Sequence, residues 1–195
     1  STAPGAEAGL TTLVRYRKEG WLHPDTGKIK AEETWARFAQ GEIAVLPVSG
    51  WAVPLLRQAP YTVKLSVAGF PGDVTVGSTY GFMLFRQDEQ AKLLAASALG
   101  TFMAAPDQQV RLARQTGLVP VSKMAGNPFE GDAQLTRIYQ LAAAQRSLPA
   151  GPGWEKAEAS FFRPLLLAML GEKEPKDALT VMQQQIHSAM TPASK

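Results

Sequence analysis

The sequence contains no cysteine. That excludes a disulfide framework, thiolate chemistry and any cysteine-ligated zinc site. Histidine is nearly missing as well. His23 and His187 lie far apart, nothing near either is spaced like a metal-ligand set, and both read as surface residues. No apolar run approaches the roughly 18 residues of a membrane-spanning helix, because Arg, Gly or Pro interrupts each one. Charge of one sign is not concentrated. Twenty basic and 17 acidic residues leave a net +3 spread along the chain, so there is no nucleic-acid footprint. Also missing are a Ser-His-Asp set, a Walker loop and a glycine fingerprint ahead of a helix. The carboxylate pairs Glu32–Glu33 and Glu172–Glu174 fall on solvated helix ends or turns. An enzyme reading therefore finds no nucleophile or base in this chain. No internal repeat or low-complexity segment occurs.

What is present is enough for a real core: 195 residues, 45% apolar and 19% charged, suited to one large domain or two small ones. The chain begins STAPGAEAGL, which reads as a cut or processed end with no signal peptide, since a helical pattern is already running by Ala8.

The most informative stretch is AEETWARFAQGEIAVLPVSGW, residues 31–51. Trp35 and Phe38 share a helix face, and Gly41 stops that helix. Ile43 to Val48 then reads as a strand buried on both faces, for lack of alternation. Ser49-Gly50 breaks it and presents Trp51. Around this stretch, residues 5–19 form an amphipathic helix ending at Gly20, with Trp21 expected to pack at its end. VPLLRQA is a short helix ended by Pro60, and Tyr61 to Ala68 alternates as a strand. Val74 to Phe85 is β-rich and interrupted by Gly77 and Gly81, as at a bend or a close backbone approach. Further helices are expected over 90–104, 107–115 (capped by Ala105-Pro106-Asp107), 132–146, 154–170 (with Pro164 as a kink or a second start) and from Pro175 onward. SLPAGPG (147–153) is a loop, and TPASK is a frayed tail.

Four pieces, in order, resemble the extracellular solute-binding proteins of ABC importers, the maltose-binding-like family. They are FAQGEIAV (38–45), GSTYG (77–81), APDQQ (105–109) followed by TGLVP (116–120), and Gly171 followed by PKDAL (175–179). Each is weak alone; the resemblance rests on their order and spacing over nearly the whole chain. It implies an α/β fold of the type II periplasmic-binding-protein kind. Specifically, it implies a helix-rich C-terminal lobe, in a fragment lacking most of the N-terminal lobe. Residues 1–76 and 126–195 would belong to the C-terminal lobe, and 77–125 would cross to the other. Residues 83–123 would then pack on a separately made front part, on another copy, or rearrange. The implied role is capture of a small polar solute, most readily a sugar, for delivery to a membrane permease, in the periplasm or outside the cell, with a lipoprotein anchor as one attachment. No cofactor, metal or nucleic acid is implied. The alternative is a domain of an α/β enzyme whose catalytic residues lie on an absent N-terminal part; a blander one is a helical interaction module marked by an exposed apolar patch over 90–118.

The candidate binding residues follow. The Trp51 indole can stack on a pyranose face or sit in the core. Gly50 lets backbone approach, and Ser49 adds a hydroxyl. Gly77, Ser78 and Tyr80, with Thr79, offer amides and hydroxyls to polyol oxygens, or form a plain bulged strand. Trp154 and Glu158 can supply a second ring and a carboxylate acceptor, and Arg163 an anion partner. For those three, packing or a solvated face is the competing reading.

Overall fold

The computed structural model describes residues 4–58, 60–73, 75–147 and 154–190. In chain order these form α1 (Pro4–Lys18), α2 (Ala31–Ala39), α3 (Ala52–Leu56), β1 (Thr75–Gly77), α4 (Gln90–Ala104) and α5 (Pro106–Thr116). Then come α6 (Ala133–Ala142), β2 (Gln145–Ser147), α7 (Trp154–Ala159), α8 (Phe162–Met169) and α9 (Pro175–Met190). Short 3-10 turns lie at Pro71–Asp73 and Lys123–Ala125. By packing, residues 1–34 with 149–195 form one unit and 35–148 a second, a division by contact and not by lobe.

In the first unit, α1 packs on α8 and α9, and α9 on α7 and α8. Leu10 and Val14, one helical turn apart, meet Ala168, Ala178 and Leu179, flanked by Leu165 and Met182. The small side chains of Ala168 and Ala178 are fully buried where the helices meet. Gly20 turns the chain out of α1 with φ 76°, and the Arg17 guanidinium ties the following loop back by donating to the carbonyls of His23 (3.0 Å) and Pro24 (2.9 Å). Trp21 lies beside Tyr16, ring centroids 5.0 Å apart, yet is 68% exposed; a single ring neighbour covers one face only. The expected helix over 154–170 is two helices, α7 and α8, with Pro164 in the first turn of α8, where its missing N–H costs no hydrogen bond.

The second unit is built on Val53, Ala113, Phe129 and Leu135, from α3, α5, the loop before α6, and α6. Asp132 caps α6: its Oδ1 accepts from the amides of Gln134 (3.1 Å) and Leu135 (3.0 Å). Its Oδ2 accepts from Arg57 Nη2 at 2.8 Å, and Arg57 Nη1 donates to Gln134 Oε1 at 3.0 Å. The Arg57 hydrogen bond, with the two backbone amides and the guanidinium charge, holds the Asp132 carboxyl below its usual range, against burial, which raises it. Gln134 Nε2 in turn donates to the Leu65 carbonyl, fixing the 61–68 segment to α6.

Three sequence expectations fail here, for one physical reason. Ile43 to Val48 is not a buried strand: it has no regular secondary structure and is exposed for most of its length, Val45 at 83%. Among the described residues from Thr75 to Phe85, only 75–77 is strand, paired in parallel with β2 in the register Thr75↔Gln145, Val76↔Arg146, Gly77↔Ser147. Residues 61–68 keep a period-two burial, with Leu65 and Val67 on the core, but join no sheet. A strand is defined by its neighbour's ladder, and among the described residues of these segments only 75–77 has one. Gln145 and Arg146, expected to continue α6, instead supply the partner of β1. The α5 N-cap is Ala105 with Pro106 at the first helical position, so Asp107 lies in the first turn and does not cap. The 148–153 part of the SLPAGPG loop and the TPASK tail lie outside the described residues.

Candidate functional site

The site begins with a turn. The carbonyls of Ser49 and Gly50 accept from the amides of Ala52 (2.9 Å) and Val53 (3.2 Å), opening α3 with Trp51 at its N-cap. Ala52, Val53 and Leu56 face the core, so the helix turns Trp51 and Leu55 outward. Trp35 of α2 braces the indole edge-on, with centroids 5.6 Å apart and planes at 68°. Trp51 is thus held yet 37% exposed.

The end of α5 closes on this turn through Gly117. Its φ is 74°, a left-handed cap that favours glycine, and its amide returns to the Ala113 carbonyl at 2.8 Å. A Cβ there would stand 2.8 Å from Pro54 Cγ, so glycine is needed for the approach as well as for the turn. Gly50 is a second close approach: a Cβ would meet Ile138 Cγ2 at 2.7 Å.

Between these pieces lies an open pocket of about 440 Å³. Trp51, Pro54, Leu55 and Leu118 give it apolar walls, Tyr80 a second aromatic ring, and Gln58, Gln115 and Thr116 its polar groups. Among the described residues no charged side chain lines it. The Thr116 hydroxyl is already engaged, donating to the Leu112 carbonyl (2.7 Å) and accepting from the Leu118 amide (3.2 Å). The exposed side-chain amides of Gln58 and Gln115 make no hydrogen bond among the described residues. Two rings, aliphatic walls and two free amides suit a flat-faced neutral polar molecule, and the volume is that of a small-molecule site.

Two of the sequence candidates, Trp51 and Tyr80, meet in this pocket. Gly50 contributes the turn. Ser49 is exposed and contributes its carbonyl to the start of α3, and Ser78 is exposed beside Tyr80 in the chain; neither lines the pocket. Gly77 sits in β1, where a Cβ would collide with the Gln145 side chain. Trp154, Glu158 and Arg163 belong to the first unit. Trp154 packs edge-on against Phe161 at 5.6 Å, and Glu158 and Arg163 are exposed. Sequence reading missed Pro54, Leu55, Gln58, Gln115, Thr116 and Leu118. The signal for two of them was the TGL cap (116–118), legible as a turn but not as a wall about 65 residues from Trp51.

Among the described residues no group of three His, Asp or Glu is placed to hold a metal ion, and no helix is long and apolar enough to cross a membrane.

A sequence profile described as bacterial extracellular solute-binding protein matches residues 2–137. No curated protein matches the chain. Among solved structures, the cyclic alpha-maltosyl-1,6-maltose binding protein from Arthrobacter globiformis superposes with a TM-score of 0.71 at 19% identity, over 96% of this chain and 48% of that one. This chain therefore spans about half the length of that protein. Its fold is a helix-rich α/β fragment of the periplasmic-binding-protein kind.

Proposed function

The chain belongs to the bacterial extracellular solute-binding family, and on that premise we propose that it captures a small uncharged polar solute, a sugar, for hand-over to the permease of an ABC importer. Membership also puts it in the periplasm or the extracellular space. The observation that carries the reading is the pairing of Trp51 and Tyr80 in one open pocket whose polar groups are all neutral. A pyranose presents an apolar C–H face that an indole covers, while its hydroxyls need amide-type donors and acceptors such as Gln58 and Gln115. A phosphorylated or carboxylate-bearing solute would find no compensating cation on these walls, and burying its charge unpaired is costly. The solved neighbour is named for a maltose-containing oligosaccharide, which supports a carbohydrate. The proposed role is binding without turnover.

The test is a panel of neutral sugars, sugar phosphates and amino acids, read by melting temperature and by tryptophan fluorescence. A neutral sugar should raise Tm and change the emission, by ligand linkage to the folded state. Trp51→Ala should weaken that binding by tenfold or more with little change in the unliganded Tm. Binding of a charged solute in preference to every neutral one would overturn the reading.

A further inference from the structure

The short helix α3 is held at both ends by one neighbour, α6. Its C-cap residue, Arg57, does not line the pocket; it is tied twice to α6, by Nη2 to Asp132 at 2.8 Å and by Nη1 to Gln134 at 3.0 Å. At the other end Gly50 lies against Ile138 of α6, so close that a Cβ would stand 2.7 Å from Cγ2. Trp51 and Gln58, the pocket residues that flank α3, are therefore each next in the chain to a residue fixed on α6. The chain beyond Arg57 is fixed as well. The Gln58 carbonyl accepts from the amides of Tyr61 (2.9 Å) and Thr62 (3.0 Å), and the Leu56 carbonyl accepts from the amide of Val63 (2.8 Å). Thr62 is, among the described residues, the one non-glycine with a positive φ, 50°. A β-branched side chain is disfavoured there, and such a residue stays only where its surroundings hold it. Leu56, buried, anchors one side of this turn, and on the other the Leu65 carbonyl accepts from Gln134 Nε2. Gln58 thus sits between Arg57 and a strained turn, and Gln134 bonds to both.

We propose that Arg57 is a positioning residue for the pocket: its two hydrogen bonds to α6 fix the backbone of Gln58, so that the Gln58 carboxamide meets a solute hydroxyl already placed. An exposed glutamine loses side-chain freedom when it binds, and a fixed backbone removes the rest of the ordering cost. Arg57 itself touches no solute. The planar guanidinium spans Asp132 and Gln134 at once, which the point charge of a lysine does not. Gln115, on α5, has separate support from the Gly117 cap and owes nothing to Arg57. The role rests on the pocket reading above, while the clamp beneath it is a property of the unliganded chain.

The test has two arms. In the first, without sugar, Arg57→Met keeps the aliphatic stem and loses both bonds. Amide exchange at Val63 should speed at least tenfold, while exchange at Gly117, whose amide bonds within the end of α5, changes less than twofold. An unchanged Val63 amide, or a Gly117 amide that speeds equally, overturns the clamp. In the second arm, glucose, galactose, maltose, sucrose and trehalose are titrated, and the sugar with the largest rise in Tm is the probe. Arg57→Met should weaken its binding at least fivefold, with Arg57→Lys between that and wild type. On top of Gln58→Ala, Arg57→Met should add less than twofold; on top of Gln115→Ala, its full factor should appear. A full factor in both pairs means that Arg57 does not act through Gln58, and a shortfall in both means general loosening of the unit; either overturns the positioning role. Should Arg57→Met fold poorly, Gln134→Ala removes the Nη1 acceptor, leaves the Asp132 bond, and should show the same pattern with at least a twofold loss. If none of the five sugars binds, the ligand assignment fails, and amide exchange alone decides whether Arg57 clamps Gln58.

Discussion

In the first packing unit α1, α7, α8 and α9 each bury residues against one another, and Leu10, Val14, Ala168, Ala178 and Leu179 form a closed centre. In the second, α3, α5 and α6 do the same around Val53 and Phe129, but α4 fully buries none of its residues, and two apolar stretches without regular secondary structure, 43–48 and 81–85, are largely exposed. Helices satisfy their own backbones, so a helical unit can close with what it has. Extended segments depend on a neighbour, so a unit containing them shows at once which neighbours it has. The contrast identifies where this chain is self-sufficient and where it is not.

The sharpest way to break that contrast is to cut each centre. Leu10→Ala in the first unit and Leu56→Ala in the second each remove a side chain that is almost fully buried, and each should lose about 3 kcal/mol of stability in urea unfolding. If Leu56→Ala were nearly free, the second unit would have no formed core of its own.

A smaller effect lies at the cap of α6. Asp132→Ala removes the acceptor for two helix amides and the partner of Arg57, and should cost about 1–2 kcal/mol. The pH dependence has a defined sign. The Asp132 carboxyl is held below its ordinary value near 4 in the folded chain, so its contribution is complete above that value. It is lost as pH falls through the lower folded value. The wild type should therefore lose its advantage over Asp132→Ala on acidification, and an advantage that does not shrink as pH falls below the ordinary carboxylate range would show that the cap works without its charge.

The sequence carried the helices because their signals are local. Gly20, Gly41, Gly117 and Gly171 all take positive φ at the helix ends they mark, and Pro175 opens α9. It carried the alternation of residues 61–68 too, which survives in the burial pattern without a sheet. Strand pairing was not legible, because a run such as Ile43 to Val48 states what it needs and not whether it has it. The pocket was legible in two of its lining residues. Trp51 announces itself beside a glycine turn, and Tyr80 beside glycines. Gln58 and Gln115 become neighbours only when α5 closes on α3 through Gly117, and no local pattern encodes that contact.

The smallest expected effect is the one that most sharpens the comparison. Leu99 is 62% exposed on α4 and lines an open apolar groove with Phe82, Leu84 and Met103. In a closed core, Leu→Ser would remove buried area and strand a hydroxyl. On a helix that buries none of its residues, only helix propensity and half-wetted contacts change, so Leu99→Ser should shift the urea midpoint by less than about 0.5 kcal/mol equivalent. It should also reduce binding of an apolar fluorescent dye, because that dye reports exposed hydrophobic surface. A loss comparable to that of Leu56→Ala would mean that α4 is covered in solution by something in the same sample, and the isolated chain would then already be associating through this face.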